Sequence, residues 1–314
     1  MDFGDRRAEA QSIFKEATKL SAPSFLGMRL KGDWSQATPM FERAALLFRQ
    51  SNDAATAKEC WESAAQGHIA QKSNWHAAKA MERAGEMARD TENYDEVQAC
   101  FRRAAELYLE EGRPNTASEA MVKAAKALES GDPAAASSFY NQALEWVEDG
   151  GKEGLAADTY RSAIGHAVRS ERWAEAVAIL VRFAAACLGI NAINSLCKSY
   201  LGAVVVWLHA GDANAAWCTY QDALGVVEFQ TSQEAVAAEE LFNAYRAVDS
   251  EAIAGVVSSQ HCYTHLEPCI ARLAKKLSQG TEGHLQKMAQ QLFGHGDGGG
   301  GGGGEDENGE EDLT

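Results

Sequence analysis

Residues that could carry chemistry are few in this chain. The nearest approach to a metal cluster is formed by His261, Cys262, His265 and Cys269. Zinc sites usually hold closely paired ligands on both sides of a loop. These four residues instead fall along the start of one predicted helix, so ordinary packing is the favoured interpretation. There is also no phosphate-binding glycine loop after a strand and no nucleophile elbow. We therefore predict no catalytic residue, no metal, no cofactor and no small-molecule substrate, and a protein that is not an enzyme.

Cysteine usage and hydropathy favour a soluble cytosolic protein. The seven cysteines are odd in number and form no Cys-x-x-Cys pair, and most fall within apolar helical patterns. In a chain of 314 residues this favours a reduced compartment over a disulfide framework. The N-terminus has no signal-peptide apolar core. The longest strongly apolar stretch, Ala203–His209, is far shorter than the roughly 20 residues that a membrane-spanning helix needs.

The formal net charge of −16 makes nucleic acid an improbable partner, because no basic face can dominate the surface. Part of this charge lies in the last 21 residues, which hold seven acids and no lysine or arginine, so the rest of the chain carries −16 + 7 = −9. The glycine run Gly298–Gly304 in the same segment cannot form a core. We expect residues 294–314 to be a disordered, glycine-rich acidic tail.

A period of twenty residues, with one slip to nineteen, runs through most of the chain. It starts from anchors at residues 34, 54, 74, 94, 114, 133, 153, 173, 193 and 213. Ten residues after each anchor stands alanine in nine of ten cases, and three after it stands Ala, Val or Leu. Seven after each anchor stands a large residue: Phe41, Trp61, Met81, Phe101, Met121, Tyr140, Tyr160, Leu180, Tyr200 and Tyr220.

Offsets of three, seven and ten fall on one stripe of an α-helix, so each period is one amphipathic helix. Turn signals such as Gly112-Arg113-Pro114 separate the helices, and short turns make neighbouring helices antiparallel. We predict an all-α, tetratricopeptide-like superhelix of helix hairpins over residues 1–230. A C-terminal helical bundle follows over 231–293, with helices at 234–248, 251–257, 266–277 and 284–293.

Three basic residues share one position of alternate helices. Arg43, Arg83 and Lys123 each stand nine residues after an anchor, so they line up on successive hairpins along one face. Two interpretations stay open. The face is either a partner-binding strip or a solvated surface with salt bridges inside each helix, for example from Glu119 to Lys123.

Two further segments have no place in the helical pattern. Phe25 and Leu26 are large apolar residues in a loop beside Pro23 and Gly27, and they either pack on the first helices or touch a partner. The chain ends Glu311-Asp312-Leu313-Thr314, and this end is either a solubilising tail or a short docking peptide.

Two stretches carry a resemblance to a known family. Trp75–Gly85, and Leu107–Ala117 followed by Gly131-Asp132-Pro133, resemble the gamma type of the soluble N-ethylmaleimide-sensitive factor (NSF) attachment proteins, the SNAP adaptors. The similarity is strongest over residues 30–150 and weak after about 190. The glycine run of the tail departs from the family pattern.

The resemblance implies an adaptor that coats assembled SNARE four-helix bundles, with their syntaxin-like helices. It would recruit and stimulate the hexameric AAA+ ATPase NSF, which disassembles the bundle in vesicle fusion and intracellular transport. It implies a cytoplasmic protein at the surface of endomembranes, with Phe25 and Leu26 touching the membrane. Arg43, Arg83 and Lys123 would meet the SNAREs, and Leu313 with Asp312 and Glu311 would activate the ATPase. The alternative is a generic tetratricopeptide-like scaffold, for example one that holds chaperone tails.

Overall fold

The computed structural model describes residues 3–23, 32–149 and 157–293. Within these ranges it contains sixteen α-helices and no β-strand, so the predicted all-α class is confirmed. The chain divides into two compact units between Ala192 and Ile193.

Nine helices build the first unit, and each packs on its sequence neighbour as antiparallel hairpins require. Their bounds are α1 Phe3–Ser21, α2 Trp34–Gln50, α3 Ala54–Ala70, α4 Asn74–Asp90, α5 Tyr94–Glu110, α6 Pro114–Leu128, α7 Pro133–Asp149, α8 Ala157–Arg169 and α9 Trp173–Gly189. Alternate helices also meet, α4 with α6 and α6 with α8, so the even-numbered helices share one layer.

The predicted period places the helices accurately. Nine of the ten anchors are the first residue of a helix, and the tenth, residue 153, lies outside the described residues. All nine described residues three after an anchor are buried, as are all ten residues that follow an anchor by ten. Eight of the ten large residues are buried too; Met81 and Tyr200 are half-buried. Alanines therefore let the helices approach closely while one bulky side chain per helix fills the space between them.

One turn geometry connects most of these helices. After α2, Asn52 adopts the left-handed conformation with φ 60°, and the Asp53 N–H donates to the Phe48 carbonyl at 2.9 Å. The Asp53 carboxylate then accepts from the Thr56 N–H at 3.2 Å, which caps α3. One residue thus closes one helix and begins the next. The same left-handed position recurs two residues before other helices, at Lys72, Glu92, Gly112, Glu171, Asn191 and Gly211.

The slip to nineteen residues changes the turn between α6 and α7. Helix α6 has 15 residues where α2 to α5 have 17 each, and the four residues 129–132 lead to α7. Gly131 packs so tightly on Tyr94 that a Cβ there would lie 1.9 Å from the ring atom Cζ. Beyond this turn, α7 and α8 approach each other less closely than the preceding neighbours do.

The second unit begins with two helices that keep the period, α10 Ile193–Ala210 and α11 Ala213–Leu224. It continues with α12 Val227–Gln230, α13 Gln233–Arg246, α14 Ser250–Ser259, α15 Pro268–Ala274 and α16 Glu282–Phe293, and with 3₁₀ turns at His261–His265 and Leu277–Gln279. The four helices expected after residue 230 are all present.

The division of the chain differs from the boundary we expected at residue 230. Helix α10 packs against α11, α13 and α15, and α11 packs against α16, so residues 193–230 belong with the second unit. The Ala213 N–H, at the start of α11, donates to the Gln291 Oε1 at 2.8 Å. The regular period thus continues past the point where contacts divide the chain, because a helix can keep its spacing while its apolar stripe meets different neighbours.

Candidate interaction surface

The three basic residues predicted to form a strip lie on alternate helices of one layer. Arg43, Arg83 and Lys123 belong to α2, α4 and α6, and all three side chains are exposed. They share a helix position because the first residues of these helices are 40 residues apart. The surface of this layer therefore carries one cation per hairpin, and we call these three residues the basic strip.

Two of the three cations are held by carboxylates. The Arg43 Nη2 lies 2.6 Å from the Glu9 Oε1 of α1, in a pair that is largely exposed. The Lys123 Nζ lies 3.0 Å from both carboxylate oxygens of Glu82 on α4, rather than pairing with Glu119 of its own helix. Such pairs are weak where water reaches them, so a stronger acidic partner can compete for the cations.

Arg83 is held by an aromatic ring instead. Its guanidinium carbon lies 4.7 Å from the centre of the Trp61 ring of α3, a cation–π contact. Within the described residues Arg83 forms no ion pair. It lines a hollow of about 360 Å³ together with Arg49, Trp61, Lys79, Glu82, Glu86 and Met87. Of the strip residues, Arg83 has its charge most available to a partner.

Glu82 lies at the centre of the strip and was not among the predicted residues. Its side chain is buried, yet it bridges Lys79 of its own helix at 3.3 Å and Lys123 of α6. A buried carboxylate needs such cations. Burial first, and then the negative charge of Glu82, raises the pKa of the nearby Tyr108 hydroxyl. The sequence feature that could have identified Glu82 is its separation of 41 residues from Lys123, which is about two helix periods.

The other predicted site residues are not described by the structure. Phe25 and Leu26 lie in the range 24–31, and Glu311, Asp312 and Leu313 lie in the range 294–314. Their roles stay predictions.

The residues considered for a metal site form no metal-binding group. His261, Cys262 and His265 lie in the first 3₁₀ turn of the second unit, where Cys262 is buried, and Cys269 follows in α15. Across the described parts of the chain, no group of three or more His, Cys, Asp or Glu side chains could hold a metal ion. None of the helices described here is both long and apolar enough to cross a membrane.

Comparison with known proteins decides the family. The model of the family described as "Soluble NSF attachment protein, SNAP" matches residues 8–280. The chain belongs to the SNAP family. A gamma-soluble NSF attachment protein of Arabidopsis thaliana is 37% identical over 252 residues, which cover 80% of this chain and 86% of that protein. One from Dictyostelium discoideum is 29% identical over 276 residues, covering 87% of this chain and 84% of its own.

These matches confirm the resemblance to gamma-type SNAP proteins that the two sequence stretches indicated. A solved circular tandem repeat protein is also similar, at 12% identity and a TM-score of 0.41, over 94% of this chain and 78% of its own. That likeness is too weak to bear on the fold. The matched range 8–280 includes the whole basic strip and ends before the acidic tail of this SNAP-family chain.

Proposed function

We propose that this SNAP-family chain is an adaptor that binds assembled SNARE bundles and recruits and stimulates the ATPase NSF. The observation that carries the proposal is the match of residues 8–280 to the family described as soluble NSF attachment protein. In this role the chain contributes a shaped, charged surface, and NSF hydrolyses the ATP. SNAREs, NSF and a membrane surface are the proposed partners, and the proposed place is the cytoplasmic side of endomembranes.

The basic strip supports the SNARE-binding part of the proposal. It presents three cations at a spacing of one hairpin, and a long helical bundle with an acidic surface would meet all of them. Arg83 is the first choice as a binding residue because its guanidinium is held by a ring rather than by a carboxylate. Contacts of this kind favour encounter and should weaken as salt screens them.

Charge reversal tests the strip. Lys123 neutralises the buried Glu82, so reversing it would disturb folding, and the sharper variant is Arg43→Glu with Arg83→Glu. We expect this variant to fold normally and bind preformed SNARE complexes several-fold more weakly at low salt. Arg103→Glu on α5 is the control, since the half-buried Arg103 side chain is also reached by solvent and its acidic partners lie on its own helix. Undiminished binding by the double variant, or equal loss in the control, would remove the strip from the proposal.

The tail is assigned to NSF activation. Its acids would meet a basic patch on the ATPase, and Leu313 would enter an apolar pocket there, with Asp312 and Glu311 beside it. The experiment measures ATP hydrolysis by NSF on preformed adaptor–SNARE complexes. We expect Leu313→Ala to bind SNAREs normally and stimulate hydrolysis less, and a chain ending at Gly304 to stimulate least. Full stimulation by both variants would leave the tail as a solubiliser.

The segment with Phe25 and Leu26 is assigned to the membrane surface. Each side chain, fully inserted, would contribute about 1.5–3 kcal/mol, and this adds to SNARE binding because both attachments act on one body. Changing both residues to serine should slow disassembly of membrane-anchored SNAREs more than that of soluble SNAREs. Equal effects on the two substrates would refute this role. Recovery of chaperones in place of SNAREs and NSF from a cell extract would favour the generic scaffold instead.

A further inference from the structure

A groove lined mostly by polar residues opens on the surface of the first unit where the helix period slips. It lies between the turn 129–132, the start of α7 and the end of α8, and has a volume of about 810 Å³. Its lining consists of Glu129, Ser130, Pro133, Ala134, His166, Arg169, Ser170 and Arg172. The short α6 and the looser approach of α7 to α8 leave this space open.

Buried polar side chains form the floor of the groove. His166 is 2% exposed, and its Nε2 lies 3.1 Å from the Pro133 carbonyl oxygen and 3.2 Å from the Ser137 Oγ. Since a carbonyl oxygen only accepts, Nε2 carries the hydrogen and donates it. Arg172 donates to the same Ser137 hydroxyl through Nη1. The floor therefore fixes the position of the Arg172 guanidinium.

A second arginine is fixed by the one carboxylate that lines the groove. Glu129 accepts from the Arg169 Nη2 at 2.8 Å and from the Tyr140 hydroxyl at 2.7 Å. Burial and these carboxylate contacts raise the pKa of Tyr140. Gly165 leaves room for the arginine, because a Cβ there would lie 3.1 Å from the Arg169 Nη1. Both guanidinium groups are about half exposed, so water or a ligand reaches them.

Hydrogen-bond donors exceed acceptors at this surface. Within the described residues, the hydroxyls of Ser130 and Ser170 make no hydrogen bond, and the ion pairs of the arginines leave further N–H groups unused. The lining holds two arginines and one carboxylate, and a second carboxylate, Glu175, pairs with the Arg172 Nε at 2.8 Å from outside the lining. A carboxylate ligand offers two oxygens in one plane, whereas a phosphate offers three oxygens that accept from donors in several directions.

We propose that this groove binds a phosphate monoester, with Arg169 and Arg172 gripping the phosphate oxygens and Ser130 and Ser170 donating to them. The 810 Å³ volume has room for the alcohol part of the ester as well as its phosphate. Two sources share this chemistry, a small water-soluble ester and the headgroup of a phosphorylated lipid. The site is separate from the basic strip on α2, α4 and α6, so it stands or falls independently of the proposed adaptor function.

The experiment titrates the full chain with glycerol 2-phosphate by calorimetry. A parallel measurement follows cosedimentation with phosphatidylcholine vesicles, with and without phosphatidylinositol 4-phosphate. Arg169→Gln should weaken binding of the phosphate about tenfold or more, as loss of a charge-assisted hydrogen bond does. Arg161→Gln, an exposed arginine of the same helix that pairs with Asp158, is the charge-matched control and should bind as wild type does.

A gain-of-binding variant guards against misfolding as an explanation. Glu129→Gln keeps an acceptor for Tyr140 but removes the competing negative charge, so it should bind the phosphate several-fold more tightly. Lipid-dependent cosedimentation that glycerol 2-phosphate displaces would assign the lipid source, and binding of glycerol 2-phosphate alone would assign the soluble source. The proposal is overturned if wild type binds neither probe saturably, if Arg161→Gln loses as much as Arg169→Gln, or if Glu129→Gln gains nothing.

Discussion

Two stretches of the first unit pack their helices by different means. From α2 to α5 the contacts are made by fully buried alanines and one bulky side chain per helix. Between α6 and α8 the same buried stripe is joined by a buried histidine, a buried serine and ion-paired arginines, around an open groove. In the regular stretch the cations that a partner could reach lie on the outer surface, as in the basic strip. Where the period slips, the same architecture leaves polar groups in reach of a ligand.

The largest expected effect is in the regular stretch. Phe101→Ala removes a side chain that is 2% exposed and leaves a cavity, so it should lower the free energy of unfolding by about 3–5 kcal/mol. Leu109→Ala, on the same helix but 40% exposed, should change it by less than about 0.5 kcal/mol. Urea unfolding followed by circular dichroism compares the two. Similar losses would mean that the stripe is not the stabilising element.

The second largest loss of stability is expected at the turn between α6 and α7, where the period shortens to nineteen residues. Gly131→Ala places a Cβ within the Tyr94 ring, and such overpacking should cost about 1–3 kcal/mol. In a Tyr94→Ala background the same substitution should cost much less, because the ring it collides with is gone. The double-mutant cycle is measured by urea unfolding. Equal costs in both backgrounds would contradict the close approach of this turn to α5.

The exclusion of water from the core of the regular stretch also predicts that its stability depends on pH. Burial, with a contribution from nearby acids, raises the pKa of Cys60 and of Cys100 to about 12, from an ordinary value near 9. The unfolded chain therefore loses these protons first, and stability present below pH 9 should fall as pH rises toward 12. By pH 10 the loss is about 1 kcal/mol for each thiol.

Thermal unfolding between pH 8 and pH 11 measures this dependence. The double variant Cys60→Ala with Cys100→Ala should lose less stability over that range than wild type. Cys218→Ala, at the exposed cysteine of α11, is the control and should follow the wild-type curve. Identical slopes in all three proteins would show that the two thiols are not in a dry environment.

The smallest effects belong to the turns. Glu92 and Gly112 both hold the left-handed conformation, with φ 56° and 68°. Gly112→Ala should destabilise by about 1 kcal/mol, because a Cβ is disfavoured there although no neighbour obstructs it. Glu92→Gly relieves the same strain and should stabilise by up to about 1 kcal/mol. Differences in thermal midpoint test the opposite signs, and equal signs would refute the shared geometry.

Much of the fold was predictable because it depends on local pattern. The stripe of alanines and bulky residues located nine helix starts to the residue. The grouping of α10 and α11 with the second unit was not predictable, since it depends on which helices their stripes meet. The polar groove was missed for a similar reason: Glu129 and Arg169 are 40 residues apart. A search for opposite charges about two helix periods apart would have found this pair, and also Glu82 with Lys123.

Where one residue closes a helix and caps the next, the length of the turn fixes how each helix is rotated relative to the one before it. Asp53 ends α2 and caps α3, so no slack residue separates the helices. One inserted residue there would advance the next helix by about 100° and turn its stripe away from its neighbours. At 129–132 the chain accommodates a change of one residue in the period. There α6 is shorter and the turn is longer, so the stripe of α7 faces its neighbours again from Pro133 onward. An insertion at residues 51–53 should therefore turn the stripe of α3 away from its neighbours and destabilise the array.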